Sequence, residues 1–395
     1  MERVITISAI FLFLMTGCGG KQSTEDLIIV DVTKKYPKKE LILQDFMDVE
    51  YIVLETNDEF LTQGLVRAIG KEIILVRNRV SDGDIFIYDR SGRGLRKINR
   101  QGQGGEEYLY VGGILLDEDN NEMYINDGSR ILVYDLFGKF KRGFRHKEGS
   151  SFGSLRNFDK ESLICQDDSF DKDVEATDVP PFAIISKQDG SIIKDISISC
   201  QQKRPPTQRI NHSGVNVTVY NSNFPLTSSV IPYHDSWILT VYSTDTIFSY
   251  LPDHSMIPFM ARTPSIQSMN PEVFLFPEIL TDRYYFLRTE KKEPEVRGTT
   301  PYDTRVSLPN TYLAYDRQEK TIFEYTVFND DYSKKMPVEM SQRPLNNEIA
   351  FCQKLEADDL FDAYKEGQLK GKLKEIAAGL KEEDNPVLML VKHKR

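Results

Sequence analysis

"RILVYDLFGKFKRGF", residues 130–144, is an apolar strand, then Tyr-Asp, a turn carrying glycine, and a second strand rich in cations. "DIFIYDRSGRGLRKI", residues 84–98, superposes on it without a gap and puts Tyr88 on Tyr134, Asp89 on Asp135 and Gly92 on Gly138. An aspartate before such a turn can bond its own backbone, and glycine tolerates positive φ, so each copy predicts a β-hairpin. The shift from Tyr88 to Tyr134 is 46 residues, close to the length of a four-stranded propeller blade.

Weaker copies begin at Phe182 ("FAIISKQDGSIIKDI"), Asp245 ("DTIFSYLPDHSMIPF") and Tyr312 ("YLAYDRQEKTIFEYTV"). Short alternating or β-branched runs continue from Leu27 to about Val327 with little helical period, the mark of an all-β chain. Five hairpins and a closing blade made from the two chain ends predict a six-bladed β-propeller. Its last strand is expected in "NPVLMLVKHK", about 386–394, paired near the N-terminal "LIIVDVTKK". Between them, about 355–383 carries helix formers with Leu360, Phe361, Tyr364, Leu369, Leu373, Ile376 and Leu380 at helical spacing. This predicts one or two amphipathic helices, broken near Gly367 and packed on the propeller before the closing strand.

The N-terminus gives an address. Val4–Met15 is apolar, too short to span a bilayer, and runs into Leu14-Met15-Thr16-Gly17-Cys18, which resembles a bacterial lipobox. Residues 1–17 then form a lipoprotein signal peptide, Cys18 is the lipidated residue, 18–26 is a flexible tether and 27–395 is the propeller domain. The expected partner is therefore a membrane, reached through the lipid on Cys18, with the body in the cell envelope at the outer membrane. A formal charge of −10 gives a polyanion no long-range attraction, so nucleic acid is not expected as a partner. Cys165, Cys200 and Cys352 are far apart; Cys165 and Cys200 would be the couple if one formed, and buried thiols are the expected state.

The glycine-rich stretch "NRQGQGGEEYLYVGG", 99–113, admits either a phosphate cradle or a strand-to-strand crossing. A dinucleotide loop needs a third glycine where Glu107 stands, and no helical period follows. These residues therefore predict a strand-to-strand crossing. Together with "ILLDEDNNEMYINDGSRILVYDLFGKFKRGF", the stretch resembles an NHL-type propeller repeat. Gly102, Gly104, Gly105, Glu107 and Tyr108 take its first part, Asp127 and Arg130 the middle, and Tyr134, Asp135 and Gly138 the end; Gly105 stands where a proline is common. With the lipobox, "YSTDTIFSYL" and the ending "LKEEDNPVLMLVKHK", the whole chain resembles the six-bladed propeller lipoproteins abundant in Bacteroides and relatives. That resemblance implies fold and address more than activity.

No catalytic residue, metal site or cofactor is assigned. The five histidines are dispersed, "DEDNNE" from Asp117 lacks EF-hand spacing, and no G-x-S-x-G or P-loop occurs. Trp237, within "SWILTVY", is expected in the core. Two loop-like stretches, after Cys200 and from Arg288, are expected to overhang one end of the channel and shape a binding surface. The function expected is a binding or protein-interaction module for an unknown protein or small-molecule ligand. The alternatives are a metal-dependent propeller hydrolase or lyase with its site at the channel mouth, and an envelope sensor or assembly subunit.

Overall fold

A computed structural model describes residues 27–394, apart from 80, 147–150, 171–178, 205–207, 213–214, 220–228, 294 and 298–304. Cys18 and the leader lie outside the described residues.

Each predicted hairpin forms the outer half of a blade. Blade I comprises Leu65–Ile69, Ile73–Arg77, Asp84–Asp89 and Gly94–Asn99. Blade II comprises Gly113–Asp117, Glu122–Asn126, Arg130–Asp135 and Phe140–Arg145. Blade III is built from Phe152–Asn157, Ser162–Asp167, Phe182–Ser186 and Ile192–Ile196. Val230–Tyr233, Ser236–Leu239, Thr246–Tyr250 and Met256–Thr263 make blade IV. Val273–Leu280, Tyr284–Lys291, Asn310–Asp316 and Thr321–Asn329 make blade V. Strands of blades I and II, II and III, III and IV, V and VI, and VI and I adjoin around the ring. A shared apolar cluster of Ile231, Ile238, Leu275, Leu280 and Tyr285 joins IV to V.

The hairpin turns explain why the later copies look eroded. The residue at positive φ is Gly92, Gly138 and Gly190 in the first three blades but His254 and Lys320 in the last two. The backbone requirement persists where the glycine does not. The aspartate at the turn has the expected use: Asp89 Oδ1 accepts from the Ser91 and Arg93 N–H at 2.9 and 3.1 Å, and Asp135 Oδ1 from those of Phe137 and Lys139, each at 2.9 Å.

Blade VI closes the ring as three strands, Ile349–Leu355, Val387–His393 and Met47–Val53, with the C-terminal strand in the middle. The chain ends do meet, but not through the expected partner. Val387–His393 pairs antiparallel with Met47–Val53, Tyr51 opposite Met389, whereas Ile28–Asp31 runs parallel along the outer edge of blade IV, Ile28 opposite Met260. Burial explains the correction. Val387 to Val391 are buried on both faces and need neighbours on both edges, while Ile28–Asp31 alternates, with Val30 at 0% and Ile29 at 52% exposure, and suits an edge. Lys38–Ile42 lies likewise on blade V, so the N-terminal segment straps blades IV, V and VI together.

Two helices, α1 (Ala357–Lys365) and α2 (Gly371–Ala377), interrupt blade VI where the spacing predicts them. Gly367, at φ +69°, ends α1: its N–H bonds Tyr364 O and the Gln368 N–H bonds Ala363 O, a Schellman cap. Leu360, Leu369, Leu373 and Leu380 bury into one cluster with Phe351, Val387 and Met389, so the apolar stripe docks on the closing blade. Among the described residues no helix is long and apolar enough to cross a membrane.

Candidate functional site

The residues singled out in the sequence assemble into one structural device between blades I and II. Arg130 Nε pairs with Asp127 Oδ2 at 3.1 Å, and its terminal nitrogens donate to the carbonyls of Gly105 (3.3 Å), Gly104 (3.2 Å) and Glu107 (2.5 Å). Glu107 does not face a phosphate: its carboxylate accepts from the Gly104 N–H at 2.8 Å and occupies the space a Gly102 side chain would need, 2.0 Å from an ideal Cβ. Tyr108, fully buried, donates to Gly83 O at 2.6 Å and accepts from the Arg100 N–H at 2.9 Å; burial pushes its phenol up to about 12. Burial also raises the Asp127 carboxyl, but bonds from Ser129 and Arg130 outweigh it and hold the group below its ordinary value. Asp135 and Gly138 serve their own hairpin turn. The bonds of Arg130, Glu107 and Tyr108 fold the loop onto itself and onto its neighbours, and the loop is a crossing.

The channel offers a different place. A cavity of about 670 Å³ lies at the mouth formed by the turns between first and second strands, lined from blades I to IV and by the segment entering blade VI. The long excursions 197–229 and 292–309 leave blades III and V at the opposite strand ends, and their described residues contribute no lining. Two details of that expectation change. Arg288 is a buried strand residue, bonded to Glu278 at 2.8 Å and Glu290 at 2.7 Å, so the second excursion begins only after Lys291. The post-Cys200 stretch contains its own hairpin, Gln208–His212 with Val215–Val219.

Interblade clasps fix the turns at this mouth. Glu118 reaches from blade II to accept the N–H groups of Lys71, Glu72 and Ile73 at 2.6, 3.0 and 3.2 Å. Lys187 of blade III, 3% exposed, pairs with Asp117 of blade II at 2.7 Å and donates to Asp159 O at 2.8 Å. Asn346 Nδ2 donates to Ile69 O at 2.9 Å, tying blade VI to blade I. Asp159 itself is committed to its turn, accepting from the Glu161 and Ser162 N–H at 2.8 and 2.7 Å.

Inside the mouth, two aromatic rings and two arginines stand among aliphatic side chains and acids. Trp237 meets the expectation of a core residue only in part: it packs against the apolar cluster of blades III and IV but is half-buried, lines the cavity and stacks on Phe158 with ring centroids 4.5 Å apart at 29°. Arg67 is the extra residue of a bulge between Val66 and Ala68, which re-aims its side chain into the channel lining. Arg156 follows a second bulge that contains Ser154 at φ +47°. It donates to Leu345 O at 3.0 Å and Pro344 O at 2.6 Å. Burial, and then the charge of Arg343, draws its guanidinium down to about 10.

Sequence reasoning missed Arg67, Phe158, Arg156 and Lys187. A cation inside the apolar run "LVRAI" is the sole local trace of Arg67, and nothing in sequence joins it to residues of three other blades.

Among the described residues no three His, Cys, Asp or Glu side chains are grouped to hold a metal. The nearest approach to a His/carboxylate cluster is a separate cavity of about 160 Å³, with His234 3.3 Å from Asp282 and His393 beside them. Cys165 is a buried thiol, its Sγ 3.4 Å from Ala183 O, and burial pushes it well up.

A solved structure shares this architecture. A protein of Bacteroides fragilis described as exported is 15% identical over 93% of this chain and 100% of its own, with a TM-score of 0.57. A member of the DUF4221 family from Bacteroides vulgatus is 11% identical over 89% of this chain and 98% of its own, with a TM-score of 0.46. No curated protein matches the sequence. A model for a domain of unknown function, DUF4934, matches residues 27–392, the entire propeller from its N-terminal strap to its closing strand, and the chain belongs to that family.

Proposed function

We propose that the protein is a lipid-anchored binding module of the bacterial cell envelope, and that it takes a small-molecule ligand in the central cavity. The carrying observation is a preformed cavity of about 670 Å³ whose mouth is locked by blade-to-blade hydrogen bonds and whose lining sets Trp237, Phe158 and aliphatic side chains among charged groups of both signs. Sites for small ligands have this size. The anchor rests on Val4–Met15 and the Leu14–Cys18 lipobox, and an exported relative of the same fold supports an extracytoplasmic address.

Two tests address the two parts. Replacing Cys18 by Ser should move the protein from the membrane to the soluble fraction and abolish labelling by fatty acid; continued membrane partition would refute the anchor. Ala68 lines the cavity, so Ala68→Phe should block it. A ligand found by thermal-shift screening should lose binding to that variant, and equal binding to a folded Ala68→Phe protein would place the site elsewhere.

A further inference from the structure

The cavity lining carries five cations and five carboxylates, yet its two arginines are paired with none of those acids. Asp117 is spent on Lys187, Glu118 on three backbone N–H groups and Asp159 on its own turn. Among the described residues neither Arg67 nor Arg156 has a carboxylate partner. Arg67 Nε is buried with no hydrogen-bond partner, and Arg156 is met only by the neutral carbonyls of Pro344 and Leu345. Holding cations half-buried without counter-charge costs stability, and a bulge that turns Arg67 toward the channel adds to the expense. Such an arrangement persists where a ligand supplies the missing charge.

We propose that the cavity binds an organic anion, with its carboxylate or phosphate head at Arg67 and Arg156 and its apolar or aromatic body against Trp237 and Phe158. This rests on the cavity being the binding site and adds the chemical class of its occupant. Guanidinium groups suit either head because their planar forks match two acceptor oxygens. The half-buried Trp237 ring, backed by Phe158 which is itself stacked on His254, offers a flat apolar face for the remainder. The exposed acids Asp119 and Glu348 of the same lining disfavour polyanions.

Calorimetric titration of the full chain with 4-phenylbutyrate, phenyl phosphate and the uncharged 4-phenylbutanamide tests the assignment and separates the two head groups. An anion should bind at least about tenfold more tightly than the amide, the factor expected of a charge-assisted hydrogen bond. Arg67→Gln should erase most of that preference while leaving the thermal midpoint unchanged or raised, because it removes an unpartnered buried cation. Arg156→Gln should also erase it, at some cost in stability from the lost Pro344 and Leu345 bonds. Equal binding of anion and amide would overturn the anion assignment and leave the cavity as a site. Failure of every probe to bind at 10 mM, a concentration of about 2.7 kcal/mol in affinity terms, would overturn the cavity reading as well. A fall in the Arg67→Gln midpoint with undiminished anion preference would show a structural role for Arg67 and refute the proposal.

Discussion

Removing the charge of Glu122 should flatten the acid limb of the protein's stability curve. The carboxylate is 5% exposed and is gripped by Arg142 through two 2.7 Å bonds, by Lys141 at 2.6 Å and by the Tyr124 hydroxyl at 3.0 Å. Arg142 Nε also donates to Lys187 O at 2.9 Å, so the cluster couples blade II to blade III. Burial raises the carboxyl, but these bonds outweigh it and bring it to about 2 from an ordinary 4.5. A depressed folded value means that the unfolded chain binds the proton first as pH falls. The contribution is therefore complete above pH 4.5 and disappears on descent toward pH 2. At about 1.4 kcal/mol per unit, and allowing for the solvent-facing Lys141, the loss is about 2–3 kcal/mol. Glu122→Gln keeps the shape and removes the charge. Urea unfolding at pH 7 should show it destabilised by about that amount, and the gap to the parent should narrow at pH 3. A gap of constant size from pH 7 to pH 3 would refute the linkage.

Three further perturbations probe the scaffold. Lys187→Met should cost about 3–5 kcal/mol by stranding the Asp117 carboxylate, and Lys187→Met with Asp117→Leu should recover most of it; an unrecovered double variant in urea unfolding would mean that the pair does more than neutralise itself. Gly367→Ala meets no atom within 4 Å and should cost only about 1 kcal/mol for its left-handed backbone, whereas Gly92→Ala adds a Cβ 2.0 Å from Val53 O and should cost far more, with equal midpoints in a thermal melt refuting the contact between blades I and VI. Tyr108→Phe loses the bond to Gly83 O and should cost about 1–3 kcal/mol, with faster hydrogen exchange in 100–108; unchanged exchange would deny the crossing loop its anchor.

The legible parts of this fold are those set by nearby residues. An aspartate and a glycine a few residues apart specify a turn, so the hairpins at Asp84 and Arg130 could be read directly, and those at Asp245 and Tyr312 only dimly because His254 and Lys320 carry the positive φ there. The α1–α2 insertion was equally readable from its leucine spacing and Gly367. Partner choice at the chain ends was not local: "LIIVDV" and "EYIVLE" are both good strands, and only the two-sided burial of Val387–Val391 selects Met47–Val53. The cavity was the least legible part, because Arg67, Arg156 and Trp237 belong to three blades and each is unremarkable in its own strand.

The proposed anion subsite at Arg67 and Arg156 has a built-in reporter, since Trp237 is the single tryptophan of the chain and lines the same cavity. Quenching of its fluorescence by iodide and by caesium at constant ionic strength, each divided by its value for free N-acetyltryptophanamide, compares the local potential between variants. The normalised iodide-to-caesium ratio should fall when Arg67→Gln and Arg156→Gln are combined; a ratio that the double variant leaves unchanged would refute the subsite.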